Sequence, residues 1–122
     1  MMDSPQTPPG PTEGATTIAP GVLVTIARLT ALAVPGVAGM APVPGGVNRL
    51  FRRGAAEGVR IDVDGQEVTV DLYLVLQHDS QVRDVSRKVQ AEVVRAVEDM
   101  VGMQVRRIDV HIEDMDYSGA PG

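Results

Sequence analysis

The sequence predicts an α+β domain, a two-layer sandwich with a small, mostly antiparallel sheet and two helices on one face, in the order α-β-β-β-α-β. Three observations predict this fold. Segment 79–102 repeats apolar residues at steps of three and four, as an amphipathic helix does. Segments 59–76 and 107–113 alternate apolar and polar residues, as half-buried strands do. A chain of 122 residues is long enough for one such domain.

The first helix is expected over 20–34. Pro20 suits the first turn of a helix, and Thr17 offers a hydroxyl for a cap. Pro35-Gly36 then ends the helix. Because Arg28 is its only charged residue, most of the helix surface should be covered. Its expected buried face contains Val22, Leu23, Ile26, Leu29, Thr30 and Ala33.

A β-hairpin is expected from strands at 59–63 and 68–76. Asp64-Gly65 between them is a two-residue turn that tolerates positive φ. Placing Val63 opposite Gln66 brings the aliphatic residues of both strands to one side of the sheet, so the turn and the pattern agree.

Two groups of residues are candidates for contact with a partner protein. Tyr73 and Val75 lie on the other side of the hairpin, either as an ordinary exposed pair or as a self-association surface. The loop over 44–58 contains Phe51 followed by Arg52 and Arg53. It is either a flexible connection with a solvated basic cluster or a contact loop in which the phenyl ring anchors on a partner.

The long helix over 79–102 and the strand after it complete the domain. Asp79 or Ser80 can cap the start of the helix, and Gly102 stands where a left-handed cap would end it. The strand over 107–113 turns its aliphatic residues toward the helix. The apolar stripe of the helix contains Val82, Val85, Val89, Val93, Ala96, Val97 and Met100.

The domain is expected over 14–115, between a disordered tail at 1–13, rich in Pro, Thr and Gly, and a flexible tail at 116–122. A short leading strand is possible at 15–18. A strand at 37–43 should be short, because the proline within it cannot donate to the ladder.

Composition excludes several classes of function. The net charge of −5 and the three aromatic residues disfavour a phosphate-backbone or base-stacking surface, so no specific nucleic acid is expected. The absence of cysteine excludes disulfides and thiolate chemistry. No signal peptide or membrane span is recognised, which predicts a cytoplasmic protein without direct membrane insertion.

No residues form a catalytic, cofactor-binding or metal-binding pattern. His78 and His111 are expected to be surface histidines, although His111 has acidic neighbours in sequence. The paired carboxylates are expected to be solvated. Gly36-Val37-Ala38-Gly39 matches the G-x-x-G of KH domains, which clamps a nucleic-acid backbone. A small KH-like RNA-binding domain that uses this loop and the arginines near Phe51 is therefore the alternative function.

Three segments together resemble the alkaline shock protein family, also called the Gls family of envelope stress response proteins. They are TTIAPGVLVTIARLTALAVPGVAGM, GVRIDVDGQEVTVDLYLVL and VRDVSRKVQAEVVRAVEDMVGMQVRRIDVHIEDM. The most specific piece leads from Gly102-Met103 through Val105 to 108–112. One departure is Gln77-His78, where the family often has a Tyr-Gly pair.

The resemblance implies a non-enzymatic bacterial scaffold or adaptor in envelope or general stress response. Some such proteins self-associate and collect at the inner face of the cell membrane through a separate membrane-anchor protein, so a homo-oligomer with such a partner is the expectation here. The family supplies no catalytic residues. The candidate contact residues are therefore Phe51, Arg52, Arg53, Tyr73 and Val75.

Overall fold

A computed structural model describes residues 18–44 and 58–118. The order of elements is the predicted one. The elements are α1 Pro20–Leu32, β1 Val37–Met40, β2 Val59–Asp64, β3 Glu67–Gln77, α2 Val82–Ala96 with a π-helical turn at Val97–Val101, and β4 Gln104–Asp116. The predicted N-terminal tail, the cap at Thr17 and the end of the C-terminal tail lie outside the described residues. Ile18 is not in a strand.

The sheet is built around β3. β4 runs parallel to β3 along its whole length, whereas β1 and β2 are antiparallel to it. β2 pairs with the first half of β3 and β1 with the second half, so these two strands share one edge end to end. They meet at Tyr73, whose N–H donates to the carbonyl of Gly58 and whose carbonyl accepts from the N–H of Ala41, both at 2.8 Å.

The hairpin register differs from the prediction by two residues. Asp64 pairs with Glu67 and Val63 with Val68, so the turn residues are Gly65 and Gln66. Gly65 has a φ of 62°, and primed hairpin turns need a positive φ at this first position. The predicted register was wrong, but the predicted buried side is correct, because a shift of two residues leaves each side chain on its face.

Both helices cover one face of the sheet, as predicted. α1 packs against α2 and β2, and α2 packs against β4. The core between the layers is aliphatic. Its fully buried side chains include Leu23, Val59, Ile61, Val68, Val70, Leu72, Leu74, Leu76, Val89, Val93 and Val97. β4 adds half-buried aliphatic side chains to this core.

The predicted buried face of α1 was largely wrong. The residues that are buried are Leu23, Val24, Ala27 and Ala31. Val22 is 47% exposed and Leu29 is 55% exposed. The helix is apolar almost all round, so its periodicity does not distinguish one face from another. The face that packs is the one with two alanines, because small side chains let the helix approach its neighbours closely.

The valine stripe of α2 is confirmed at its centre and wrong at its ends. Val85, Val89 and Val93 are buried, whereas Val82 and Met100 are exposed. The predicted side-chain cap is also wrong: the helix begins after Gln81 without one. The hydroxyl of the nearby serine, Ser80, instead donates to a carbonyl in the turn after α1. Gly102 ends the helical segment in the left-handed conformation, as predicted.

Candidate functional site

The sequence-predicted contact residues fall into two groups. Phe51, Arg52 and Arg53 lie outside the described residues. Tyr73 and Val75 lie on β3 between core residues, so they face away from the helices, on what we call the open face of the sheet. Val75 is half-buried. Tyr73 is only 6% exposed, so the expectation of an exposed tyrosine was wrong.

Tyr73 is covered because it lies in the central strand between long side chains of the neighbouring strands. The imidazole of His111 on β4 stacks on the phenol ring, with centroids 4.5 Å apart and planes 11° from parallel. From β2, Nη2 of Arg60 donates to Oη of Tyr73 at 3.4 Å. Neither neighbour is predictable from the composition of β3 alone, because the register of β2 and β4 against β3 decides which of their residues lie beside Tyr73.

Asp71 completes a group that we call the polar cluster: Arg60, Asp71, Tyr73 and His111. Its Oδ1 lies 3.1 Å from Nε2 of His111, and its Oδ2 lies 3.6 Å from Nη2 of Arg60. The cluster therefore ties three strands together across the open face. Sequence reasoning considered acidic neighbours of His111 on its own strand and missed Asp71, which is 40 residues away.

The electrostatics of the polar cluster do not activate Tyr73. Burial raises the pKa of its phenol, and the nearby carboxylates of Asp71, Glu113 and Asp109 raise that pKa further, while Arg60 opposes them. The phenol is therefore held in its neutral form at physiological pH. Tyr73 can donate a hydrogen bond there but is a poor base or nucleophile.

The outer edge of β4 is the second feature of the site. Among residues 18–44 and 58–118, β4 pairs with β3 only. The side-chain amide of Gln90 on α2 donates to the carbonyl of Ile108 at 3.3 Å. Because a helix side chain reaches this carbonyl, the backbone groups of Ile108 point away from β3. Those of Val110 and Ile112 do likewise, since backbone direction alternates along a strand.

The loop that motivated an RNA-binding alternative has a different structure from a KH clamp. Gly36 lies in the turn after α1, while Val37 and Gly39 already belong to β1. Val37 is buried, and Gly39 pairs with Val75. This segment joins a helix to a strand, as its sequence indicated. The arginines that would accompany it lie outside the described residues.

In the described part of the chain, no group of three or more His, Cys, Asp or Glu residues is arranged to hold a metal ion. None of the helices in 18–44 and 58–118 has the length and apolarity that crossing a bilayer requires.

Solved structures with a similar fold are those of the MamM CTD. A zinc form has a TM-score of 0.55 at 16% identity, covering 78% of this chain and 85% of that one. A manganese form has the same TM-score at 17% identity, covering 76% and 95%. At this level of identity the likeness concerns the fold alone, and it confirms the α+β architecture.

Sequence relatives point to a family. The uncharacterized protein YqhY of Bacillus subtilis is 29% identical over 106 residues, which cover 85% of this chain and 78% of that protein. YloU of the same organism is 22% identical over 96 residues, covering 75% and 80%. The model of the alkaline shock protein family, described as having a cell envelope-related function, matches residues 10–117. The resemblance seen in the sequence is thereby confirmed, and the chain belongs to the alkaline shock protein family.

Proposed function

We propose that this protein is a non-enzymatic scaffold or adaptor of the cell envelope that associates with copies of itself. The observation that carries the proposal is the outer edge of β4. This strand has 13 residues, whereas strands of five or six are typical. Among the described residues no strand pairs with its outward backbone groups, and its aliphatic side chains are half-buried. A long edge of this kind is a template for strand pairing.

The open face supports a binding role over a catalytic one. The polar cluster contains an acid–histidine pair, Asp71 and His111, which is the usual companion of a nucleophile. The side chains that it holds in place are a phenol with a raised pKa and a guanidinium, and neither acts as a nucleophile at neutral pH. The cluster lies on a sheet surface and joins β2, β3 and β4, which suits a structural role.

Recruitment to the membrane through an anchor protein is the second part of the proposal. The family description places its members in cell-envelope function. The net charge of −5 makes direct adsorption to anionic lipid headgroups unfavourable, because such adsorption is driven by basic residues. A protein partner at the membrane removes this electrostatic obstacle.

Light scattering on the purified chain over a wide concentration range tests self-association. A mass that rises with concentration supports the scaffold, and a monomer throughout would contradict it. Recruitment is tested by cell fractionation, followed by cross-linking and mass spectrometry of the envelope fraction. We expect one dominant integral membrane protein among the cross-linked partners. Recovery in the soluble fraction alone would refute the recruitment.

A further inference from the structure

The outer edge of β4 is self-complementary. On the two sides of Val110, residues at equal distances from it along the strand are complementary: two aliphatic residues, or one basic and one acidic residue. Ile108 corresponds to Ile112, Asp109 to His111, Arg107 to Glu113, Arg106 to Asp114, and Val105 to Met115. Aliphatic positions meet aliphatic ones, and basic positions meet acidic ones.

We propose that two copies of this chain form a two-fold dimer in which the β4 strands pair antiparallel, with Val110 opposite Val110 on the axis. This inference rests on the proposed self-association and names the surface that mediates it. The dimer joins the two sheets into one continuous sheet, with the helices of both copies on the same face. Each edge is closed by the other, so association stops at two copies on this surface.

The backbone geometry permits this register. The outward-pointing residues are Ile108, Val110 and Ile112. In an antiparallel pair, two residues whose N–H and carbonyl groups point at each other form a hydrogen-bonded pair. The proposed register sets Val110 opposite its own copy and Ile108 opposite Ile112 of the second copy, so every outward residue meets an outward residue. The Gln90 amide, which now contacts the Ile108 carbonyl, must share that carbonyl or move.

Charge selects this register from its neighbours. Centring the pair on Asp109 sets that carboxylate against its own copy, and centring it on His111 sets Asp109 against Glu113. Like charges directly opposite each other on a sheet are destabilising. With Val110 at the centre, Asp109 instead meets His111, and Arg107 meets Glu113. The guanidinium of Arg107 is 66% exposed in the isolated chain, so it is free to reach across despite its contact with Asp109 at 2.9 Å.

The side-chain burial fits the same arrangement. Val105, Ile108, Val110, Ile112 and Met115 pack against the core but remain half-buried, because no other described strand lies along the outer side of β4. In the dimer each gains an aliphatic neighbour from the second copy. Irregularities in the β3–β4 pairing lie between Val105 and Arg107 and between Ile112 and Asp114. They bracket a regular central stretch over 107–112, which contains the axis and the outward-pointing residues of the proposed pairing.

Reciprocal charge reversal tests the register. Arg107→Glu sets glutamate against Glu113 of the second copy, and Glu113→Arg sets arginine against Arg107. By symmetry each substitution creates two repulsive pairs, and we expect the dimer Kd measured by sedimentation equilibrium to rise roughly 10- to 100-fold. An equimolar mixture of the two variants restores both attractive pairs and should dimerise like the wild type. The double variant should do the same. Arg87→Glu on the exposed side of α2 is the charge-matched control and should leave Kd unchanged.

A single cysteine provides an independent test of the axis. The chain has no cysteine, so Val110→Cys introduces the only thiol. Hydrogen-bonded antiparallel residues have Cα atoms about 5.5 Å apart, within the range of a disulfide. Mild oxidation should therefore link the two copies. Met100→Cys places a thiol at a more exposed position away from the edge and should not give comparable cross-linking.

The outcomes of these experiments distinguish failure of the β4 dimer from failure of the proposed self-association. Restoration by mixing, together with cross-linking at position 110 only, supports the β4 dimer. A wild-type protein that associates while the charge variants behave like it, or fail to restore each other, overturns the β4 dimer and leaves the scaffold standing. A wild-type protein that is monomeric at all concentrations overturns both. Urea unfolding of each variant distinguishes loss of association from loss of fold.

Discussion

Replacing Gly58 with alanine should destabilise the protein strongly, because this residue stands where three strands converge. Its carbonyl accepts the N–H of Tyr73 at the point where β2 begins and β1 has just ended. A Cβ atom at this position would lie 2.6 Å from the carbonyl oxygen of Ala41, 2.8 Å from the Cβ of Met40 and 2.8 Å from the carbonyl oxygen of Tyr73. Two of these three atoms are backbone, so no side-chain rotation removes the overlap.

The expected loss in the free energy of unfolding has two contributions, one from backbone conformation and one from packing. Gly58 has a φ of 81°, and a left-handed conformation costs an L-residue roughly 1–2 kcal/mol. Forcing extra volume into a packed site costs roughly 1–3 kcal/mol more. Gly58→Ala should therefore lower the free energy of unfolding by roughly 2–5 kcal/mol. Native domains have only about 5–15 kcal/mol in total, so the variant loses a large part of its stability.

Two other glycines supply matched controls, and urea unfolding followed by circular dichroism supplies the measurement. Gly65 has a φ of 62° but open space around its missing side chain, so Gly65→Ala should lose only the conformational part, roughly 1–2 kcal/mol. Gly39 has neither a positive φ nor a close neighbour, and Gly39→Ala should be neutral or slightly stabilising. If Gly58→Ala loses no more than Gly65→Ala, the crowding argument is refuted.

Three further predictions concern single side chains. Leu23→Ala should lower the free energy of unfolding by roughly 2–5 kcal/mol because Leu23 is fully buried, whereas Leu29→Ala on the exposed side of α1 should change it by about 0.5 kcal/mol or less. Equal losses from these two variants would mean that the packing face of the helix is misassigned. Ser80→Ala removes the 3.1 Å hydrogen bond to the turn after α1 and should lower the free energy of unfolding by roughly 0.5–1.5 kcal/mol in the same urea assay. An unchanged free energy of unfolding would mean that this hydrogen bond does not form in solution. Tyr117→Phe leaves Tyr73 as the only tyrosine, so its ionisation can be followed by ultraviolet absorbance. The midpoint of this titration should lie at a higher pH than that of a free tyrosine, because the pKa of Tyr73 is raised. Because the folded pKa is the raised one, this group's contribution to stability is fully present below the ordinary tyrosine pKa and is lost as pH rises through the folded value. A midpoint at or below that of free tyrosine would refute the burial of the ring.

The elements that the sequence predicted well are those with a mixed composition. α2 alternates valines with charged residues, so only one face of the helix can be buried, and the central valines are on it. The hairpin strands alternate in the same way, so their buried side was predictable even though the register was not. For α1 the same reasoning was wrong, because a helix that is apolar on nearly every side has no preferred face until its neighbours are in place.

In the candidate site, the direction of the side chains was predictable from the sequence, but their neighbours on other strands were not. The sequence indicated that Tyr73 and Val75 face away from the core, and strand alternation requires that. It did not indicate that Tyr73 is covered, because the covering groups come from β2 and β4. The pairing of His111 with Asp71 likewise depends on β4 lying parallel to β3, which no local pattern specifies.

By itself, the sequence determined the order of the elements, the aliphatic character of the core and membership in the alkaline shock protein family, since each depends on local patterns or on the succession of motifs. The tertiary structure alone decided which face of α1 packs, which side chains surround Tyr73 and which strands lie at the two edges of the described sheet. These depend on contacts between residues distant in the chain, and many arrangements of such contacts are compatible with one local pattern.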